Sequence, residues 1–357
     1  MPIQLSDVFS ARAVAINRTE VESNKIPYML KTWFPEKKRM GIDINWIKTR
    51  KGLGVALKPS NFDAIPKLRG RGQFQITKEE MPFFRESMLI KERDMMEVMR
   101  ATSINDPYLD TALLDIFDDT NNLVDGADIA VEKMRANLVC PVNGNVGITI
   151  GIEDNTVYNY DYDPNNDWKN THYVALSGTS TWDNNSTAKP LDNLRAGITY
   201  LQSIGVMPKY ILGNSTTLNY LVENDQMKNA LLSLSTSPIN FLNNSAVEDV
   251  LQRQLRVEYL AYDKMYTDYD GTDKKFYLDD YVTIIGAGTL GNTYYGTTPE
   301  ERTLLGNSKA DVAVLDRGVA IAVKTEQGPP VSVTTSVSQI VLPSFEGMDS
   351  IYVIKVK

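Results

Sequence analysis

Between Asp106 and Leu138, apolar residues recur at the spacing of one helical face: Leu109, Leu113, Ile116, Phe117, Val124, Ala127, Val131, Met134 and Leu138. Steps that are almost all three, four or seven draw a single stripe. The stretch predicts a helix over 106–138, roughly 50 Å long at about 1.5 Å per residue. Pro107 suits the first turn, where its missing N–H costs nothing, and Asn105 or Asp106 can cap it. Asp110, Asp115, Asp118, Asp119, Asp125 and Asp128 fill the other faces, while Lys133 and Arg135 come late, an order that suits the helix dipole. Gly126 weakens the middle and marks a candidate bend. A rod of this length exceeds the width of a small domain, so the rest of the chain must be arranged along it.

Upstream of the rod, Ser6 can cap a short helix carrying Val8, Phe9, Ala13 and Ile16. An arm follows in which prolines interrupt large apolar residues: Tyr28, Leu30, Trp33 and Phe34. It is too broken for a core of its own and is expected to pack on another body. Ile42, Ile44 and Trp46 alternate with polar residues as a half-buried strand, its partner expected near Phe74 and Ile76. Between them, Lys48 to Arg71 is rich in Gly and Pro, with Lys48, Arg50, Lys51, Lys58, Lys67, Arg69 and Arg71 opposed by Asp63 alone. Val55, Leu57, Phe62, Ile65 and Leu68 punctuate it, which free linkers seldom show. It reads as a long two-stranded projection ordered by a neighbour. Ile90 to Thr102 is a charged amphipathic helix.

Downstream, strands at 146–152 and 156–162 and a short strand at 173–176 precede a polar run, Trp182 to Ser186, read as a boundary. Helices at 191–204, 216–223, 226–233 and 245–255 then alternate with strands at 209–212 and 256–261, an α/β pattern. Asp270-Gly271 marks a hairpin turn. Further strands fall at 277–285, 312–324, around Val331 to Val337, and at 351–356. The last two are expected to return to the sheet beside the rod.

The chain has 357 residues, enough for two domains. Its charge is unevenly spread. Residues 1–100 hold 19 Lys and Arg against 12 Asp and Glu; with the whole chain at −8, the remainder carries −15. A basic front and an acidic body attract each other between copies as readily as within one. The basic tip from Lys67 to Arg71 is accordingly read as a protein contact for an acidic neighbour such as the Asp-rich rod. A salt-sensitive phosphate contact is the alternative. Cys140 is the only cysteine and His172 the only histidine. Intrachain disulfides and His-ligated zinc clusters are thereby excluded. His172 is read as a polar residue at a strand edge. Met1 to Arg12 has no signal-peptide pattern, and no apolar run approaches a membrane span.

Two motifs invite site readings. Gly286-Ala-Gly288-Thr-Leu-Gly291 spells a dinucleotide fingerprint after a strand, with Asp311 about 20 residues on. The chemistry needs a helix to open there, and Asn292 to Pro299 reads as strand or loop, so no cofactor is assigned. Asp161, Asp163, Asn165 and Asp167 match the first four positions of a calcium loop. However, Asn166 replaces the required Gly and His172 the closing Glu, so no metal is assigned. No nucleophile, base and orienter assemble, and catalysis has no support.

The order of parts resembles the lambda-type major capsid proteins, the capsid protein E family of tailed phages. Leu30-Lys-Thr-Trp-Phe34-Pro35 leading into Ile42-Asp-Ile-Asn45 is similar to that family's arm and first strand, and 53–59 with Arg69-Gly-Arg-Gly72 to its extended loop. Residues 290–300, and Leu342-Pro343 through Asp349-Ser350-Ile351-Tyr352-Val353, match as well. The resemblance implies an α+β fold of the Hong Kong 97 type. Residues 1–48 would form the arm, 49–78 the extended loop, and 79–186 a peripheral domain with spine helix 106–138. An α/β axial domain at 187–325 would follow, and strands at 326–357 would return to the peripheral domain. It further implies self-assembly into hexamers and pentamers of an icosahedral virion shell around double-stranded DNA. Partners would be a separate scaffolding protein, a portal and a decoration protein, with assembly in the bacterial cytoplasm. An encapsulin-like compartment is the alternative. Residues expected between copies are Trp33, Phe34, Arg50, Lys51, Phe62, Lys67, Arg69, Arg71, Asp118 and Asp119.

Overall fold

A computed structural model describes residues 27–48, 75–90, 107–151, 157–232, 243–268, 270–306, 312–314, 318–326 and 332–357. Strands and helices in chain order are β1 (Glu36–Lys38), β2 (Asp43–Lys48), β3 (Gln75–Glu80), β4 (Phe83–Ile90), α1 (Pro107–Val139), β5 (Gly147–Gly151) and β6 (Val157–Asp161). They continue with α2 (Lys169–His172), β7 (Tyr173–Ala175), α3 (Pro190–Ser203), β8 (Pro208–Gly213), α4 (Ser215–Glu223), α5 (Asp225–Leu232), α6 (Asn244–Leu255), β9 (Glu258–Ala261), β10 (Met265–Thr267) and β11 (Asp273–Lys275). The chain closes with β12 (Tyr281–Gly286), β13 (Thr293–Tyr295), α7 (Pro299–Gly306), β14 (Val312–Val314), β15 (Ala320–Glu326), β16 (Ser332–Pro343) and β17 (Ile351–Lys355).

The long periodic stretch is one helix of 33 residues. Where its side chains are described, Val124, Val131, Met134 and Leu138 of the apolar stripe are buried. Two compact units divide the chain, and the division falls inside α1. The first comprises Met1–Ile44, Lys78–Met134 and Asn292–Ser344; the second comprises Asn45–Thr77, Arg135–Gly291 and Phe345–Lys357. β2 and β3 form the expected two-stranded pair.

In the first unit, β16 is the axis of a six-stranded sheet. Its Val333 and Val337 are buried between Ser and Thr, the mixture that a half-buried pleated surface favours, and Ile340 is buried beside Gln339. β15 pairs antiparallel along one edge of β16, and β4 along the other. Beyond β4, β13 pairs with Val341 to Pro343. Neighbouring register pairs point to opposite faces. From one pair, Gln339 Nε2 donates to the α1 carbonyl of Ala127 at 2.9 Å. From the other, Ser338 Oγ donates to Glu300 of α7 at 2.7 Å, and Arg85 pairs with the same carboxylate. One helix therefore lies on each face.

The second unit is built on a five-stranded sheet in the order β7-β17-β12-β8-β9. Every residue of β12 is buried, as a strand covered on both faces requires. Val282, Ile284, Tyr352, Ile354 and Val356 pack with Leu194, Ile198 and Leu201 of α3 and with the apolar faces of α4, α5 and α6. On the alternate positions, Thr283 Oγ1 donates to the last α1 carbonyl, that of Val139, at 2.9 Å.

The strand directions and boundaries differ in places from the sequence reading. The α/β sheet is mixed: β8–β9 and β17–β7 are parallel, whereas β12 runs antiparallel to both of its neighbours. β17 lies in this sheet and not with β16, because four consecutive buried residues, Ile351 to Ile354, suit a doubly covered strand. Trp182 to Ser186 is not a boundary between units. Trp182 is fully buried and its N–H donates to Val356 O at 2.9 Å, so the polar run after it is a surface turn. In this part of the chain the two units divide at 291 and 344.

Candidate functional site

Of the residues expected between copies, Trp33 and Phe34 are covered within one chain, at 4% and 0% exposure. The reason is that the broken arm finds partners within its own unit. Leu30 N donates to the buried Glu132 carboxylate at 3.1 Å, and Thr293 Oγ1 donates to Phe34 O at 3.2 Å. β1 then pairs in parallel with β13. The body on which the arm packs is therefore its own. Arg50, Lys51, Phe62, Lys67, Arg69 and Arg71 lie outside the described residues, as do the short helix at 6–16, residues 91–102 of the helix expected at 90–102, whose first residue Ile90 instead ends β4, and the caps at Asn105 and Asp106. Asp118 and Asp119 lie in α1 where side chains are not described.

The described surface exposes apolar side chains in the first unit: Met40 at 91%, Leu89 at 56%, Ile42 at 44% and Phe83 at 42%. Ile42 O accepts from Met81 N at 2.8 Å, which brings Ile42 near the start of β4. Along β4, Arg85 to Leu89 are all exposed, and β16 is its one partner among the described residues. An eight-residue edge strand carrying Phe, Met and Leu is the kind of surface that proteins normally cover. The sequence hid it, because nothing in a strand's own residues says whether its second edge is paired.

The groups that carry chemistry elsewhere are spent on structure here. Cys140 is buried, which pushes its thiol up to about 12; hydrogen bonds at Leu278 and Tyr277 only partly oppose this. A thiol held protonated is neither nucleophile nor ligand at neutral pH. His172 is not at a strand edge. It ends the short α2, is 5% exposed, and stacks on Trp168 with ring centroids 5.6 Å apart. The i, i+4 spacing of the two rings was the available signal. Burial lowers its pKa, opposed by the Asp349 carboxylate, main-chain groups of Trp168 and Asp349, and Asp163.

The calcium-like run is a turn held by its own main chain. Asp163 accepts from Trp168 N at 3.1 Å and Lys169 N at 2.9 Å, and Asp161 accepts from Asp163 N at 2.9 Å. No group of three or more His, Cys, Asp or Glu suited to a metal occurs among the described residues. The glycine fingerprint opens no helix: β12 ends at Gly286 and β13 begins at Thr293. A Cβ on Gly286 would stand 2.5 Å from Val206 Cγ1, so the glycine serves close packing.

The family model for phage major capsid protein E matches residues 13–328. A search of curated protein sequences found no match. Among solved structures, the chain is similar to one described as a prophage capsid protein from E. coli CFT073. Identity is 14%, 80% of each chain is covered, and the TM-score is 0.54. It is also similar to a phage-related protein from Bordetella bronchiseptica RB50, at 12% identity over 95% of each chain with a TM-score of 0.52. At these identities the likeness concerns the fold alone; the sequence match carries the family and, with it, an α+β architecture related to the Hong Kong 97 type. The sequence match covers well over half of the chain and carries a structural role: the chain belongs to the phage major capsid protein E family.

Proposed function

We propose that the protein builds an icosahedral shell from hexamers and pentamers of itself, and that the shell encloses double-stranded DNA. The observation that carries this reading is the family match across residues 13–328. In this reading α1 is the spine of a peripheral domain and the sheet around β12 is the core of an axial domain. Residues 49–78 reach a neighbouring copy, where Arg50, Lys51, Lys67, Arg69 and Arg71 meet acidic groups such as Asp118 and Asp119, and Phe62 adds apolar contact. The net charge of +7 in residues 1–100 against −15 in the rest supports such pairing between copies. Apolar surface at Met40, Phe83 and Leu89 supports burial by neighbours. Assembly would draw on a scaffolding protein and a portal, with a decoration protein outside, in the bacterial cytoplasm.

The test is to recover particles from producing cells and treat them with nuclease. Protected double-stranded DNA of heterogeneous sequence is expected. Particles that hold enzyme cargo and no DNA would instead identify a compartment shell.

A further inference from the structure

A cleft of about 480 Å³ opens in the second unit, where the last turn of α1 and the turn at 142–145 meet the exposed face of the β5–β6 hairpin. Strand register fixes that face. Gly147 pairs with Asp161 and Thr149 with Asn159, while Ile148 and Tyr160, one residue along, are buried on the opposite side. Asn137 of α1, Asn145 of the turn and Asn166 of the loop after β6 complete the polar lining. The cleft has the volume of a ligand site, but amides and carboxylates line it in place of the usual apolar and aromatic groups.

Several of these groups are left over from the fold. Lys169 Nζ can only donate, and it donates to Asn145 Oδ1 at 2.8 Å, so the amide N–H groups of Asn145 remain as donors. Thr149 Oγ1 lies 3.3 Å from Asn159 Oδ1. Asn137 and Asn166 make no side-chain hydrogen bond among the described residues. Asp163 spends both oxygens on the N–H groups of Trp168 and Lys169, whereas Asp161 spends only Oδ1, on Asp163 N. α1 also ends here with no basic residue in its last turn, so the partial negative charge of its C-terminus adds to that of Asp161.

A side-chain amide carries a donor and an acceptor, the complement of one peptide unit. A carboxylate among such amides adds a seat for one cation. Together they suit an extended main chain that carries a basic side chain. Lys67-Leu-Arg69-Gly70-Arg71-Gly72 has that chemistry. In an extended chain Arg69 and Arg71 fall on one side, and Gly70 and Gly72 leave the main chain bare on the other.

We propose that this cleft receives residues 67–72 of a second copy, with Asp161 taking an arginine and the asparagines taking the main chain. The proposal rests on the reading of residues 49–78 as a loop that reaches a neighbour, and it names the seat. The net charge of +7 in residues 1–100 against −15 in the rest favours a second copy as the source.

The probe is a fluorescent synthetic peptide of residues 65–74, added to the full unassembled chain. Saturable binding is expected. Asp161→Asn keeps an acceptor for Asp163 N and removes the charge, and should weaken binding at least about tenfold. Thr149→Tyr fills the cleft from an exposed position without changing charge and should also weaken it. A peptide of the same composition in scrambled order should bind more weakly, since general attraction to an acidic body ignores order. Equal binding by the scrambled peptide, or binding unmoved by either variant, overturns the proposal. Copies carrying Thr149→Cys, mixed with copies carrying Gly70→Cys, should form disulfide-linked dimers. A disulfide that forms only within a chain carrying both would give the seat to the chain's own loop and also overturn it. Shells that form while the peptide fails to bind remove the seat alone, whereas copies that never associate remove the neighbour reading itself.

Discussion

Substituting Gly213→Ala tests whether the turn from β8 into α4 is as tightly specified as its hydrogen bonds suggest. A methyl there would overlap the Tyr259 hydroxyl, with Thr217 Oγ1 at 2.7 Å and Tyr259 Cζ at 2.9 Å. Those atoms hold the turn: Tyr259 OH lies 2.8 Å from Thr217 Oγ1 and 2.9 Å from Asn214 O, while Asn214 Oδ1 caps Thr217 N at 2.9 Å. Overpacking a filled site costs about 1–3 kcal/mol. Displacing a buried hydroxyl from its partners costs about 1–3 kcal/mol more. The sum is a loss of about 4 kcal/mol. Tyr259→Phe alone should cost about 1 kcal/mol. It removes one donor, while Asn214 O keeps Leu218 N and Thr217 Oγ1. Because it also removes the atom the methyl would strike, the double variant should be more stable than the sum of the two by at least about 1 kcal/mol. Urea unfolding of all four proteins measures this. Additivity within about 0.5 kcal/mol would refute the argument, since the two groups would then not compete for one space.

The other expectations concern the arm, the thiol and the loop. Glu132→Ala should cost about 1–3 kcal/mol, because the buried Leu30 N–H loses the acceptor that anchors the arm. Faster proteolysis near residue 30, with the second unit intact, is the readout, and unchanged cleavage counts against the anchor. Cys140 should react with a disulfide reagent at pH 8 at least tenfold more slowly in the folded protein than in urea, since burial keeps its thiol protonated up to about 12; equal rates would contradict its burial. Reversing charge at Arg69 and Arg71 should impair assembly while leaving the unfolding midpoint within the range of ordinary surface changes, about 0.5 kcal/mol. Equal loss of both would show that these residues serve the fold of one copy.

What could be read from the sequence was what is periodic or local. α1 was legible because its stripe repeats over nine turns, and the helices at 190–203 and 244–255 because each buries one face. The Asp270-Gly271 turn carries its own chemistry, with Gly271 at φ +74°. Distant pairing was not legible. The apolar run Ile351 to Ile354 marks a doubly covered strand but does not say that its neighbours are β7 and β12, and nothing in Trp33 or Phe34 says which body covers them. The same limit hid His172. Its burial depends on Tyr200 and on the segment Met348–Ser350, which are remote in the chain. Asp161 to Asp167 was ambiguous in the opposite direction, since acidic spacing alone looks alike whether the carboxylates face an ion or their own main-chain N–H groups, and only Asn166 and His172 spoke against an ion loop.

Electron microscopy of the purified protein, concentrated without nucleic acid, tests the shell-forming role most directly. Closed shells, or the hexameric and pentameric rings from which they are built, are the predicted result. A single small globular species that persists at every concentration would contradict the account.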